Sequence, residues 1–309
     1  MTHPTRGPRS SGRDLHSAWI TADGSAGSAG SCSSLFPWWS FTKTTLSVCA
    51  LRLAEDNLLD LDAFRPNKPY TLRQLLQHRA GVPNYGALKQ YHKAVARNDI
   101  PWSREHLLKA VGHDRLDFQP GTGWAYSNVG YMFVREAIEE ATGGSVSHAF
   151  DRLIFAPLGI HAVRLAQSVS DFQQVFWKEL HSYDPRWVYH GCLVGTPVEA
   201  AKILNALFQG AILKSGSLHA MLQRYDLGGA IPGRPWTRCG YGLGLMSGEM
   251  GTAGRALGHS GAGPFGVNAV YHFPDLGTPV TVATFAAGVN EGVAEHEAVT
   301  IALHLQRQH

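Results

Sequence analysis

The apolar residues of this chain keep a helical period through its middle and switch to strand alternation in its last third, which limits the folds open to it. In the segment Thr44 to Glu55, Leu46, Cys49, Ala50 and Leu53 fall at i, i+3, i+4 and i+7, one face of a helix. Further helices are expected over 71–78, with Thr71 as N-cap, over 102–111, and over 128–142. In the last of these Tyr131, Val134 and Ile138 share a face and Gly143-Gly144 supplies the stop. Thr196-Pro197-Val198-Glu199 opens another, with a cap, a proline in the first turn and a glutamate placed for a capping box. Later, Val267, Ala269, Tyr271 and Phe273 alternate, Val280 to Ala287 forms a second strand, and Pro274-Asp275-Leu276-Gly277 joins them as a hairpin. Tyr241 to Met246 is expected as a third strand, and 290–306 as a closing helix. Helices in the middle, an antiparallel sheet late and a helix to cover it make the expected class α+β.

Residues 1–34 stand apart. They are rich in Arg, Ser, Gly and Ala and hold a low-complexity run over 24–31, with only Ala18 to Thr21 hinting at a strand. That composition predicts a flexible, poorly packed segment. It also suits a truncation or a shifted reading frame of a GC-rich gene. On either reading, removing residues 1–34 is expected to leave folding and activity unchanged.

Charge and composition remove several function classes. The net charge of +3 comes without runs of like charge, so neither nucleic-acid nor polybasic membrane binding is indicated. No apolar run reaches membrane-spanning length and the start of the chain lacks a secretory apolar core. A soluble cytoplasmic protein is therefore expected, with a processed mature form as the alternative. Cys32, Cys49, Cys192 and Cys239 form no Cys-x-x-Cys pair and are expected as buried free thiols. The 16 histidines include no His-Glu-x-x-His, so no metal is expected.

Three short motifs carry chemistry. Ser40-Phe41-Thr42-Lys43 places a hydroxyl and an amine three residues apart at a helix start, on one face. A serine needs a base to become a nucleophile, and a desolvated lysine is one. Taken alone, the spacing equally suits a capping serine beside a solvated lysine. Tyr126-Ser127-Asn128 lies on a loop after the Pro120-Gly121 turn and joins a phenol to a carboxamide. Cationic neighbours are expected to lower the phenol pKa so that it shuttles protons, and the amide offers substrate both a donor and an acceptor. His259-Ser260-Gly261 is expected to lead a glycine-rich turn where backbone N–H groups approach a substrate and the imidazole exchanges protons with it.

Each motif occurs once, and their order suits one mechanism. Together they resemble the serine β-lactamase and penicillin-binding-protein superfamily, in particular its class C-like branch of family VIII carboxylesterases, D-aminopeptidases and DD-peptidases. The segments 75–83, 126–131, 155–159 and 241–244 extend the resemblance to roughly residues 35 to 305. It implies a β-lactamase/transpeptidase-like fold in which residues 35–309 form one catalytic domain. A helical lobe over roughly 64–235 would face an α/β lobe from 35–63 and 236–309, with the active site between them. It further implies Ser40 as acylated nucleophile, Lys43 and Tyr126 as proton carriers, and Asn128 and His259 as substrate contacts. Gly261 would allow close approach, with the N–H groups of Ser40 and Ala262 as oxyanion donors. The expected partner is a small ester, amide or peptide, with no cofactor and an open oligomeric state.

Histidine at position 259, where β-lactamases of this branch carry lysine, is only partly charged near neutral pH. That favours esters or D-amino-acid amides and peptides over β-lactams or DD-peptidase substrates. Ser260 is a rival nucleophile, since Gly258-His259-Ser260-Gly261-Ala262 is one residue short of Gly-x-Ser-x-Gly. A silent homologue with a binding or regulatory role is the alternative from another class.

Overall fold

The computed structural model describes residues 14–307. Among the described residues eleven strands form two sheets. In chain order they are β1 Leu15–Thr21, β2 Ala26–Ala29, β3 Phe36–Pro37, β4 Arg164–Ala166, β5 Cys192–Gly195, β6 Tyr225–Gly228, β7 Cys239–Tyr241, β8 Met246–Glu249, β9 Arg255–Ala262, β10 Val267–Phe273 and β11 Val280–Ala286. The main sheet runs β2-β1-β11-β10-β9-β8-β7-β6 with antiparallel neighbours, and a small sheet runs β3-β5-β4. The expected α+β arrangement is therefore present.

β10 and β11 are buried at every position. Helix Pro197–Phe208 lies across β1, β10 and β11, and helix Glu291–Gln306 also covers β10 and β11. Thr196 caps the first by accepting from the Glu199 N–H, as its sequence predicts. Helix 197–208 and β6 thus join the sheet although they fall in the range expected for the helical lobe. Their apolar residues are completed by the strands, and local periodicity carries no record of that partner.

The N-terminal segment departs most from expectation. β1 pairs with β11 from Leu15↔Ala286 to Thr21↔Val280, and β2 forms the sheet edge beside it. Leu15, Ala18 and Trp19 are buried. The small residues of the low-complexity run have a packing reason: a Cβ at Gly27 would overlap the Trp19 indole. Residues 14–34 are therefore part of the sheet and its approach to the nucleophile, not a flexible leader. The part of that expectation covering 1–13 lies outside the described residues.

Two further readings are corrected. Tyr241 to Met246 is not one strand but the link from β7 to β8, turning at Gly244 with φ +77° where a Cβ would overlap Ser47 Oγ. His259-Ser260-Gly261 lies inside β9, hydrogen-bonded in register with Val270, Ala269 and Asn268 of β10, and the turn comes only afterwards. Helices 42–55 and 128–142 pack together, and Lys43 in the first turn of one meets Asn128 at the start of the other.

Candidate active site

Ser40 is delivered by a short, heavily tied approach. β3 pairs with β5, and the Trp38 N–H donates to the Leu193 carbonyl at 2.7 Å. Trp39 then adopts φ +41°, a left-handed conformation that is costly for a bulky residue. Its indole is held by Phe172 and Tyr183, at ring separations of 5.7 and 5.6 Å. A 3₁₀ turn over Trp39–Phe41 carries Ser40 directly into helix Thr42–Glu55. That continuity brings Lys43 back under the serine, as the three-residue spacing predicts.

Lys43 is fully buried and its Nζ has three polar neighbours: Ser40 Oγ at 3.3 Å, Asn128 Oδ1 at 2.7 Å and His190 Nε2 at 3.1 Å. Tyr126 OH donates to Ser40 Oγ at 2.8 Å. The Tyr-Ser-Asn segment is fixed from behind. Ser127 Oγ caps helix Asn128–Thr142 by accepting from the Gly130 N–H, the Ser127 N–H donates to His78 Nδ1 at 3.1 Å, and the Asn128 N–H donates to Asn84 Oδ1 at 3.1 Å. His78 also lies 4.3 Å from the Tyr126 ring, so the 75–83 segment works as the platform for this loop.

Burial sets the charge states. Desolvation pulls the Lys43 amine well below its usual value, which favours its free-base form. The same effect pushes the Tyr126 phenol up, opposite to the lowering expected from cationic neighbours. Tyr126 is therefore a neutral phenol and a proton donor to Ser40 Oγ. His259 is also buried, and desolvation followed by the nearby Lys43 lowers it to about 3, so it is neutral rather than partly charged. Its Nε2 lies 3.0 Å from Tyr241 OH and its ring 6.3 Å from Tyr126, so it packs among the aromatic residues near Ser40. It is not among the residues that line the cavity at Ser40, contrary to the substrate contact expected of it.

β9 lies against the nucleophile because position 261 is glycine. A Cβ there would stand 2.8 Å from the Ser40 nitrogen and 2.9 Å from Trp39 Cβ. Ala262, the exposed next residue, sits at the mouth. Ser260 points the other way, its buried Oγ bonded to Tyr271 OH at 2.7 Å and to Glu295. The rival nucleophile is therefore locked into a network behind the sheet.

Ser40, Asn128, His190 and Ala262 line a cavity of about 260 Å³ whose aromatic walls are Trp39, Tyr85, Tyr91 and Tyr183. Of Trp177, Tyr183, Trp187 and Tyr189, Tyr183 alone lines this cavity. Trp177 Nε1 donates to Asp14, Trp187 Nε1 to the Asp99 carbonyl, and Tyr189 OH to the Trp102 carbonyl. His190 was not singled out by sequence. It belongs to no motif and precedes Gly191 in an ordinary loop-to-strand junction. Among the described residues, no group of three or more His, Cys, Asp or Glu is placed to hold a metal ion. Nor is any described helix long and apolar enough to cross a membrane.

A helical region closing a Ser-Lys-Tyr cluster against an antiparallel sheet defines the β-lactamase/transpeptidase-like fold. The chain belongs to the Beta-lactamase family, whose family model matches residues 11–306. Penicillin-binding protein 4* of Bacillus subtilis is 32% identical over 143 residues, 43% of this chain and 31% of that protein. Lovastatin esterase of Penicillium rubens is 29% identical over 148 residues, 39% of this chain and 37% of that one. The chain thus spans about a third of the length of these curated relatives. The D-amino acid amidase of Ochrobactrum anthropi SV3 shares the fold with a TM-score of 0.77 at 22% identity, covering 96% of this chain and 95% of that one.

Proposed function

We propose that this chain is a serine hydrolase that forms an acyl-enzyme on Ser40 with carboxylic esters or D-amino-acid-type amides. The observation that carries the reading is that Ser40 Oγ lies within hydrogen-bond reach of both Lys43 Nζ and Tyr126 OH, residues from two different elements. Lys43, as a free amine, takes the serine proton as Oγ attacks the carbonyl carbon. Tyr126, a neutral phenol, donates its proton to the departing oxygen or nitrogen and is reprotonated by the Lys43 ammonium, which returns Lys43 to the free amine. Lys43 then activates the water that releases the acyl group. The N–H groups of Ser40 and Ala262 face the developing oxyanion, each such donor being worth about 3 kcal/mol. Asn128 holds Lys43 through its carbonyl oxygen and leaves its NH₂ for substrate.

The choice of substrate rests on charge. A β-lactam or a peptide C-terminus carries a carboxylate, but the His259 imidazole beside the site is neutral and Arg234 is held by Glu291 and Glu295. That weighs against β-lactamase or DD-peptidase activity. The esterase and D-amino acid amidase among the similar proteins agree with the preferred classes by analogy only.

Intact-mass measurement after exposure to a fluorophosphonate, a short-chain nitrophenyl ester and a penicillin tests the reading, with Ser40→Ala alongside. Wild type is expected to gain one phosphonyl adduct, and Ser40→Ala none. Nitrophenyl ester turnover should drop roughly 10³-fold or more in the variant. Ester hydrolysis at the wild-type rate by Ser40→Ala removes the assignment. A folded wild type inert to every probe supports the silent homologue, and rapid penicillin turnover restores the β-lactamase reading.

A further inference from the structure

A second cavity, of about 300 Å³, shares no lining residue with the one at Ser40. That volume falls at the small end of the range for small-molecule sites. Three helices supply its apolar walls: Leu75 from Leu72–Leu76, Leu108 from Arg104–Val111 and Phe133 from Asn128–Thr142. Leu75 and Leu108 belong to the core and Phe133 packs against it, so these walls are fixed before any ligand arrives.

A tight turn adds polar groups. The Lys68 N–H donates to the Arg65 carbonyl at 3.0 Å, with Pro66 second and Asn67 third at φ +56°, the pattern of a type II turn. Arg65 and Lys68 thereby reach the cavity together, and Tyr70 follows two residues on. Arg65 Nη2 donates to Glu140 Oε2 at 2.8 Å, and Arg104, also on the lining, is bidentate to Glu136 at 2.5 and 2.9 Å. His113 is engaged with the Leu108 carbonyl and with Asp114. Lys68 has no ion-pair partner among the described residues, so the lining keeps a surplus positive charge.

Tyr70 marks where a ligand would sit. It is 3% exposed and its hydroxyl makes no hydrogen bond among the described residues, yet that oxygen is not sealed from water. Burial pushes the phenol up to about 12 against the pull of Arg65, so it remains a neutral donor. A nearly buried donor without a partner, on the same cavity as an unpaired ammonium, is an arrangement that a bound anion completes.

We propose that this cavity binds a small organic monoanion, a carboxylate on a compact apolar body. Lys68 and the Tyr70 hydroxyl hold the carboxylate, and the carbon body rests on Leu75, Leu108 and Phe133. A carboxylate matches the unbalanced cation, whereas a phosphate dianion would bring a further negative charge beside Glu136. No covalent step is involved, and the site is independent of the reading of Ser40.

The test uses the intact chain phosphonylated at Ser40, so that the acyl cavity is occupied, and follows binding by ligand-observed NMR. 3-Phenylpropanoate is expected to bind with a Kd of about 1 mM, in keeping with its size. Neutral 3-phenylpropanamide and inorganic phosphate should each bind at least about tenfold more weakly. Lys68→Glu should raise the Kd of the carboxylate roughly tenfold or more, and Tyr70→Phe about tenfold. Tyr70→Phe should also leave the urea midpoint unchanged, because the lost hydroxyl has no partner in the free protein; a structural hydroxyl would lower it. Amide binding as tight as the acid, phosphate tighter than the acid, or an unchanged Kd in Lys68→Glu overturns the proposal. So does the lack of any binding by about 10 mM. A chain that resists phosphonylation is titrated unlabelled. Lys68 and Tyr70 do not line the acyl cavity, so their variants still separate failure here from failure at Ser40.

Discussion

At the scale of single residues, the site depends on how closely two backbones approach. Gly261 is the clearest case, because a methyl group there would press on the Ser40 nitrogen and on Trp39 Cβ. Neither neighbour yields easily, since Trp39 already sits at φ +41° between Phe172 and Tyr183. Gly261→Ala is expected to push β9 away from the nucleophile, lowering kcat about 10²-fold by displacing the oxyanion donors. Stability should fall by only ~1–3 kcal/mol. Stopped assays with a nitrophenyl ester and urea melts separate the two, and an unchanged kcat would show that β9 takes no part in catalysis. Ser40, Lys43, Tyr126 and Asn128 were legible in the sequence because the first pair shares a helix face and the second a loop-to-helix junction. Their charge states were not. The Tyr126 phenol and the His259 imidazole are set by burial, which depends on residues distant in the chain. His190 was illegible for a related reason: its importance lies wholly in meeting Lys43 across 147 positions.

At the scale of elements, the segments with strong local signals appear where they were expected. Helix 128–142 ends at Gly143 in a left-handed conformation, and Leu72–Leu76 opens on the Thr71 capping box. The N-terminal strands were hidden because an edge strand of Gly, Ser and Ala has no periodic apolar face to read. Its smallness is the partner's requirement, since Trp19 lies over Gly27. For residues 14–34, a structural role thereby replaces the expectation of a dispensable segment. Trp19 is 2% exposed on β1, which bridges β2 and β11. Trp19→Ala should cost about 3–5 kcal/mol. The loss is expected as a lower urea midpoint with little change in fluorophosphonate labelling of the remaining folded protein. A variant as stable as wild type would return this segment to the status of a dispensable leader.

At the scale of the whole molecule, the interior holds several imidazoles away from water, and this gives the fold a pH dependence of known sign. His259 is lowered to about 3 and His272 to about 4, with desolvation the largest cause in each, and burial also lowers His78 and His190. In the unfolded chain each titrates near 6.5. The unfolded state therefore binds protons that the folded state refuses. The stabilisation is complete above pH 6.5 and is lost as pH falls from there through the folded values. Glu291, which burial raises above its usual value, works in the opposite direction, but it is one carboxyl against five imidazoles, since burial lowers His16 as well. The lowered aspartates Asp62, Asp171, Asp226 and Asp275 add to the loss only at the acid end, near and below their usual value of 3.8. The interval from 6.5 to about 4 is thus mainly the histidines'. Urea midpoints are expected to decline steadily across it. His272 offers the cleanest check, since it stacks on Phe208 and bonds Thr281 without touching Ser40, Lys43 or Tyr126. His272→Leu should flatten the decline between pH 6.5 and 4 while leaving the acid limb of ester hydrolysis, which follows Lys43, at its wild-type position. A decline equally steep in the variant would mean that His272 takes up its proton without unfolding the protein.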